Sequence, residues 1–183
     1  MDWQKLCELL KNKKSCTEVY LYTGIDNGDL ETAKEFDALS KTSCCVVKSK
    51  SIFSYKNKDL TVPLKCSGCA LETVHMVDMG YTKKSNCDVE LTVDVIEKSG
   101  PDVELLLFTG DGDFEYLIRK ALDKEVSKVS IFSCADRYVK AGMTISRFST
   151  KLRNLIAEKP AKVFYVPLKD IKDQIKKNIS PII

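Results

Sequence analysis

The chain has a single histidine, His75, and little from which a histidine-based catalytic centre could be assembled. A Ser-His-Asp or Cys-His mechanism needs a histidine beside its nucleophile, and His75 lies in the largely apolar stretch LETVHMVDMG, which gives no argument for either arrangement. The sequence also lacks a GxxxxGK[ST] loop and a GxGxxG turn. These absences remove the best-known nucleophile and nucleotide-binding motifs from consideration.

Long apolar runs and a strong net charge are absent as well. No apolar stretch approaches the ~18 residues that cross a bilayer, and the N-terminal MDWQKLCELLKNKK is amphipathic and charged, unlike a signal peptide. The formal net charge is +3 over 183 residues, which neither demands nor excludes a nucleic-acid partner. We therefore expect a cytoplasmic protein without a membrane partner, folded as one domain over residues 1–183.

Cysteine, by contrast, is abundant, with eight residues. Most of them are expected to be reduced and to behave as small hydrophobic side chains, since a domain of this length does not need a disulfide framework. Cys66-Ser-Gly-Cys69 forms one CxxC pair. It is either a turn with two thiols or part of a structural zinc site, which would have to recruit Cys87, His75 or another cysteine to reach four ligands.

Strand-like and helix-like segments alternate along most of the chain, which is typical of an α/β fold with crossover helices. The predicted helices are 3–13, 30–40, 88–98, 114–124, 150–158 and 168–177, and the predicted strands are 18–23, 44–48, 104–109, 128–133 and 162–166. The segment 51–84 interrupts this alternation. We predict there a hairpin of 51–55 with 60–64, followed by an irregular stretch.

The most informative stretch is LLLFTGDGDFEYLIRKAL, which places Asp111 and Asp113 just after a predicted strand whose residues 105–108 are all apolar. In an open parallel sheet, ligands bind at the carboxyl ends of the strands. Gly110 and Gly112 are expected to free the backbone and to let a ligand approach. Two carboxylates this close repel each other unless a cation lies between them, and oxygen ligands suit Mg²⁺ or Mn²⁺. For Asp113 the alternative is a helix N-cap.

A second acidic segment, NCDVELTVDVIEKSG, precedes that strand. Asp88 stands at the start of its predicted helix, from which it is expected to reach the crevice; its alternative role is again an N-cap. Asp94 lies among apolar neighbours and is expected to have a partner, such as a lysine, a backbone amide or the metal shell.

The two acidic segments together, KKSNCDVELTVDVI and LLLFTGDGDFEYLIRKAL, resemble the NYN domain, in its LabA-like branch of the PIN-like nuclease superfamily. The resemblance implies a Rossmann-like three-layer sandwich with a central, mainly parallel sheet. It implies a metal-dependent ribonuclease in which Asp88, Asp111 and Asp113 hold Mg²⁺ or Mn²⁺ and Asp94 is an additional catalytic acid. Thr109 matches the family's small hydroxyl before Gly-Asp and is assigned to cofactor binding. The expected partner is single-stranded RNA, and the chain is a candidate homo-oligomer.

One departure from the family pattern leaves the activity open. The family usually begins with a strand ending in Ile-Asp-Gly-x-Asn, whose aspartate is a metal ligand, whereas this chain begins with MDWQKLCELL, which looks like the family's first helix. The alternatives are a truncated chain, a site that works without that acid, or a non-catalytic module that binds RNA or a protein. A further alternative is a phosphatase or phosphotransferase on an unrelated α/β fold.

Basic side chains spread along the sequence could form a rim that holds phosphates beside the acids. For each of them alone, a solvated helix surface is at least as good an explanation. The candidates are Lys83, Lys84, Arg119, Lys120, Arg137, Lys140, Arg147, Lys151 and Arg153.

Overall fold

The structure is a computed structural model that describes residues 1–42, 45–140 and 142–177. Its contacts divide the chain into two compact units. The first unit combines Met1–Val19 with the chain from Asp88 onward, and the second is Tyr20–Cys87. A single domain over 1–183, with 51–84 as an insertion, stays a prediction.

The described residues form six helices and eleven strands. The helices are α1 (Trp3–Lys14), α2 (Leu30–Ser40), α3 (Asp88–Lys98), α4 (Phe114–Asp123), α5 (Thr150–Glu158) and α6 (Lys169–Lys172). The strands are β1 (Val19–Ile25), β2 (Cys45–Ser51), β3 (Phe53–Lys56), β4 (Leu60–Lys65), β5 (Glu72–Val77), β6 (Tyr81–Lys84), β7 (Glu104–Phe108), β8 (Lys128–Ser133), β9 (Arg137–Lys140), β10 (Met143–Ser146) and β11 (Val163–Pro167).

A three-stranded parallel sheet organises the first unit, with the strand order β11-β8-β7. Leu107 of β7 lies opposite Ile131 of β8, and Val163 of β11 lies opposite Val129. The three strands run parallel because a helix returns the chain between successive strands. The expected α/β class with a parallel sheet is confirmed.

Helices cover both faces of this sheet. On one face, Leu107 and Ile131 are buried in a cluster with Ile118 of α4 and with Leu152 and Leu155 of α5. On the other face, Phe132 is buried with apolar residues of α1, with one residue of α6 and with one residue just after α6, namely Leu6, Leu9, Leu10, Ile171 and Ile175. Neighbouring residues of a strand point to opposite faces, so β8 contributes Val129 and Ile131 to one interface and Phe132 to the other. The first unit is therefore a three-layer sandwich.

An ion pair joins α4 to α5 on the surface of the first unit. Arg119 donates to both carboxylate oxygens of Glu158, at 2.9 and 2.5 Å, and also pairs with Glu115 of its own helix. The hydrogen bonds from Arg119 lower the pKa of Glu158 from its usual 4.5 to about 2. This bidentate ion pair links α4 and α5, the two helices that begin beside the loop after β7.

We expect Glu158→Gln to lower the free energy of unfolding at neutral pH, because Arg119 then loses a charged partner on α5. Since the pKa of Glu158 is lowered in the folded state, its contribution is complete above about pH 4.5 and is lost progressively as the pH falls towards about 2. Urea unfolding of both proteins at pH 7, 4.5 and 3 measures this loss. The control is Glu97→Gln, at an exposed glutamate of α3. A difference between Glu158→Gln and wild type that does not change with pH would contradict the assignment.

The second unit contains α2 and three strand pairs, β1 with β2, β3 with β6 and β4 with β5. Helix α2 begins as predicted, with the Asp29 side chain accepting from the Thr32 amide at 3.0 Å. The predicted strand 44–48 corresponds to β2, while Cys44 lies outside the described residues. The second unit thus contains one helix and three short two-stranded ribbons.

The predicted pairing of 51–55 with 60–64 is wrong. Strand β4 pairs instead with β5, and β3 pairs with β6, both antiparallel. The Asn57 amide donates to the Gly80 carbonyl at 2.9 Å, so the polar segment after β3 continues the ribbon and does not reverse it. The chain reverses at Cys66–Leu71, inside the stretch that was expected to be irregular.

Candidate active site at the loop between β7 and α4

The loop from Thr109 to Asp113 connects the carboxyl end of β7 to α4, where the sequence predicted a site. Two hydrogen bonds within the loop fix its course. The Asp111 amide donates to the Thr109 hydroxyl at 3.1 Å, and the Asp113 amide donates to Asp111 Oδ1 at 2.9 Å. Thr109 therefore orients the loop backbone, and the Asp111 carboxylate is held with one oxygen engaged.

Asp113 is the N-cap residue of α4 by position, but its side chain accepts no capping hydrogen bond. Its carboxylate is 86% exposed and lies 3.7 Å from the ammonium group of Lys151. The N-cap alternative for the Asp113 side chain is therefore not what the structure shows. Asp111 is exposed as well, so the loop presents two carboxylates at the end of the sheet.

The two glycines of the loop allow another part of the chain to lie against it. A Cβ atom added to Gly110 would overlap the Arg147 carbonyl oxygen and lie 2.8 Å from Ser133 Oγ. One added to Gly112 would overlap Ser149 Oγ and lie 3.0 Å from Ser149 Cβ. The expectation that these glycines make room for a ligand is corrected here, because the space beside each of them is filled by protein.

The segment that fills this space leads into α5. The Ser149 amide donates to the Gly110 carbonyl at 2.9 Å, and the Ser149 hydroxyl accepts from the Lys151 amide at 3.2 Å as the N-cap of α5. This arrangement places the start of α5, with Lys151, beside the start of α4. The sequence interpretation missed Ser149 and Ser133; a serine directly before a helical run is the signal that could have found Ser149.

The other two predicted acids lie on α3. Asp88 is the first residue of the helix and is exposed, and Asp94 is half-buried. Within 1–42, 45–140 and 142–177, no three histidine, cysteine, aspartate or glutamate side chains form a group that could hold a metal ion. The structure therefore brings Asp111 and Asp113 together in one loop, without Asp88 as a third converging carboxylate.

The predicted zinc ligands are not brought together either. Cys66 and Cys69 lie exposed in the loop between β4 and β5, whereas the thiol of Cys87 donates to the Thr23 carbonyl with a sulfur–oxygen distance of 3.6 Å. His75 lies on β5 opposite Val62. The CxxC pair is thus a two-thiol unit in the described part of the chain.

Three residues of the predicted basic rim in the first unit have other contacts. Arg119 pairs with glutamates, Lys120 pairs with Asp123 at 2.9 Å, and Arg153 donates to the Ala135 carbonyl and the Ser146 hydroxyl. Lys83 and Lys84 belong to the second unit, and nothing is described for the side chain of Lys140. Lys151 is the rim residue that the structure places beside a candidate carboxylate.

A three-layer α/β unit with two carboxylates at the carboxyl end of a parallel strand can be compared with known proteins. The model of the NYN domain family matches residues 1–151. The chain belongs to the NYN domain family. Because NYN domains are typically ribonucleases, membership supports the interpretation of a nuclease-like domain. The unrelated α/β fold on which the phosphatase alternative depended is wrong.

A solved structure agrees with this family fold. It is a crystal structure of a protein of unknown function from Vibrio parahaemolyticus, and it is 20% identical, with a TM-score of 0.54. The match covers 92% of this chain and 79% of that chain. At this identity the similarity concerns the fold alone. No curated protein sequence matches the NYN chain.

The LabA-like branch and the missing first strand stay predictions. Nuclease relatives in this superfamily typically use divalent metals, and their family suggests an RNA substrate. No helix among the described residues is long and apolar enough to cross a membrane.

Proposed function

We propose that this NYN domain hydrolyses phosphodiester bonds of single-stranded RNA with a divalent metal, Mg²⁺ or Mn²⁺, at Asp111 and Asp113. The observation that carries the proposal is the pair of exposed carboxylates in one hydrogen-bonded loop at the carboxyl end of β7. Parallel α/β sheets bind ligands at this edge. Family membership gives the reaction class its second, independent support.

The donor set of the loop fits a hydrated metal. Mg²⁺ keeps several of its waters in proteins and binds through one or two carboxylates together with substrate phosphates. Asp111 has one oxygen engaged by a backbone amide, and Asp113 has its carboxylate open to solvent near Lys151. Two carboxylates of this kind suffice for such a site, whereas an all-protein cage would need more ligands than the described residues gather.

Two helix amino ends and one lysine favour the binding of a polyanion at this site. Helices α4 and α5 both begin at the loop, and the amino ends of helices attract phosphate through their free N–H groups and dipoles. The ammonium group of Lys151 stands at the same place and can contact a phosphate oxygen. When bound, the metal supplies an activated water and stabilises the charge that develops on the phosphate and the leaving oxygen.

Within this proposal the remaining predicted residues have distinct roles. Thr109 holds the loop in shape by accepting from the Asp111 amide. Asp88, exposed at the start of α3, is proposed as a further acid that approaches when metal and RNA are present, and Asp94 supports that helix from its half-buried position. These assignments follow the family pattern.

The test is cleavage of a 5′-labelled single-stranded RNA by the purified chain in Mg²⁺ or Mn²⁺. We expect shortened products that appear only with metal and disappear when EDTA is added. A double-stranded RNA of the same sequence should be cut more slowly, since its bases and backbone are constrained in the duplex. Cleavage that persists in EDTA, or intact RNA under every metal condition, would contradict the proposal.

A second candidate function is a non-catalytic NYN module that binds RNA or a protein partner. It is favoured by one observation, that no three potential metal-ligating side chains converge within the described ranges. This candidate predicts that the labelled RNA is retained by the chain in a filter-binding assay but remains intact with metal. The same RNA sample therefore separates the two functions.

A further inference from the structure

The loop between β4 and β5 carries two exposed thiols, those of Cys66 and Cys69, in one short turn. The ribbon closes at this loop, where the Cys66 amide donates to the Leu71 carbonyl at 2.9 Å and the Ala70 amide donates to the Cys66 carbonyl at 3.0 Å. Ala70 adopts a positive φ of 58°, a conformation that costs free energy for a residue with a Cβ. Both thiols, of Cys66 and of Cys69, are exposed at the end of the ribbon.

The loop backbone also turns towards the first thiol. The amides of Cys69 and Gly68 donate hydrogen bonds to the Cys66 sulfur, and they lower the pKa of the Cys66 thiol. Hydrogen bonds of this kind favour the thiolate, which is the form that binds metals. The turn therefore carries the two sulfurs in one loop, three residues apart in the sequence.

The described residues supply no further ligand to this pair. A structural zinc takes four ligands in a tetrahedron, and no third cysteine, histidine or carboxylate joins Cys66 and Cys69 within the described ranges. His75 lies opposite Val62, three residue pairs from the end of the ribbon, and the thiol of Cys87 contacts the Thr23 carbonyl. A tetrahedral site on this pair therefore needs two ligands beyond those that the described residues bring to it.

We propose that Cys66 and Cys69 form a half-site for Zn²⁺ and that a second copy of this chain supplies the other two thiolates. A two-fold axis through the metal gives both copies the same role, as in most homodimers. The binding of one Zn²⁺ by four thiols releases four protons and leaves a complex with two negative charges.

The exposed apolar side chains beside the thiols offer a surface that a second copy of the chain can cover. Leu64 is 50% exposed and Leu71 is 62% exposed, one on each side of the CxxC pair. The ion pair of Lys65 with Glu72, at 3.2 Å, leaves the end of the ribbon without a net charge from these two residues. A second ribbon end can therefore approach without charge repulsion and cover the exposed leucines.

The test uses the reduced, metal-free full chain and a titration with Co²⁺, which reports its ligands through visible absorption, followed by displacement with Zn²⁺. We expect saturation at one metal per two chains, an absorption typical of tetrahedral thiolate, and a doubling of the mass in sedimentation. Cys66→Ser and Cys69→Ser should each abolish both the absorption and the mass change. The matched control, Cys87→Ser, should retain both.

Three results would overturn the proposal. One metal bound per monomeric chain would show that the four ligands come from a single copy. Loss of binding in Cys87→Ser would place a third ligand within the second unit. Absence of any spectral change in the reduced wild-type chain would show that the pair does not bind the metal.

Discussion

Replacing Asp111 by asparagine is expected to lower the rate of RNA cleavage by at least ~100-fold, because even residues that only support metal ligands typically contribute 10–100-fold. Asparagine keeps the oxygen that accepts from the Asp113 amide, so the shape of the loop should survive. What is lost is the negative charge that attracts the cation. The rate under single-turnover conditions in Mg²⁺ measures the effect on the chemical step.

The matched control is Asp123→Asn. Asp123 is an aspartate at the other end of α4, exposed and paired with Lys120. This substitution removes the same charge at the far end of α4, away from the loop, so cleavage should stay near the wild-type rate. Wild-type cleavage by Asp111→Asn, or an equal loss in both variants, would contradict the assignment of the site.

Replacing Gly110 by alanine is expected to lower the free energy of unfolding by about 1–3 kcal/mol, the usual cost of inserting atoms into a filled space. The added methyl group would overlap the Arg147 carbonyl, and it would also lie 2.8 Å from Ser133 Oγ. A backbone carbonyl cannot move aside by a side-chain rotation. The segment that leads into α5 must therefore shift, and it takes Ser149 and Lys151 with it. Urea unfolding measures the loss of stability.

Gly100→Ala is the control for this prediction. No atom lies within 4 Å of a Cβ built on Gly100, and its φ is not positive. Replacing a glycine by alanine where no strain results raises the free energy of unfolding by about 0.4–1 kcal/mol, because the unfolded chain becomes less flexible. Equal stability of Gly110→Ala and the wild type would show that the loop and the segment before α5 do not lie against each other as described.

The parts of the fold that could be predicted from sequence are those with a local signal. The apolar run of β7, the periodicity of α4 and the cap of α2 at Asp29 depend on neighbouring residues and were predicted correctly. The pairing of β3 with β6 could not be predicted from neighbouring residues. The segments after β3 and after β4 both resemble turns, so the sequence permits more than one partner for each strand.

In the candidate site, too, only the features with a local sequence signal could be predicted. Asp111 and Asp113 share a loop, so their proximity follows from their spacing of two residues. Positions 110 and 112 need glycine because Arg147 and Ser149 lie against them. These two residues come nearly forty positions later in the chain, so no local pattern contains the contact. The placement of Asp88 depends on how α3 packs, which sequence spacing alone does not determine.

Binding of Mn²⁺, measured by electron paramagnetic resonance, tests the central claim most directly, because the spectrum of the free ion weakens when the ion is bound. The sample contains the chain and a short single-stranded RNA, and a sample of the same RNA without the chain gives the reference for Mn²⁺ that is free or bound by the RNA itself. We predict one bound Mn²⁺ per wild-type chain and none in the double variant Asp111→Asn, Asp113→Asn. Equal binding by both proteins, or no binding by the wild type, would contradict a metal site in the loop between β7 and α4.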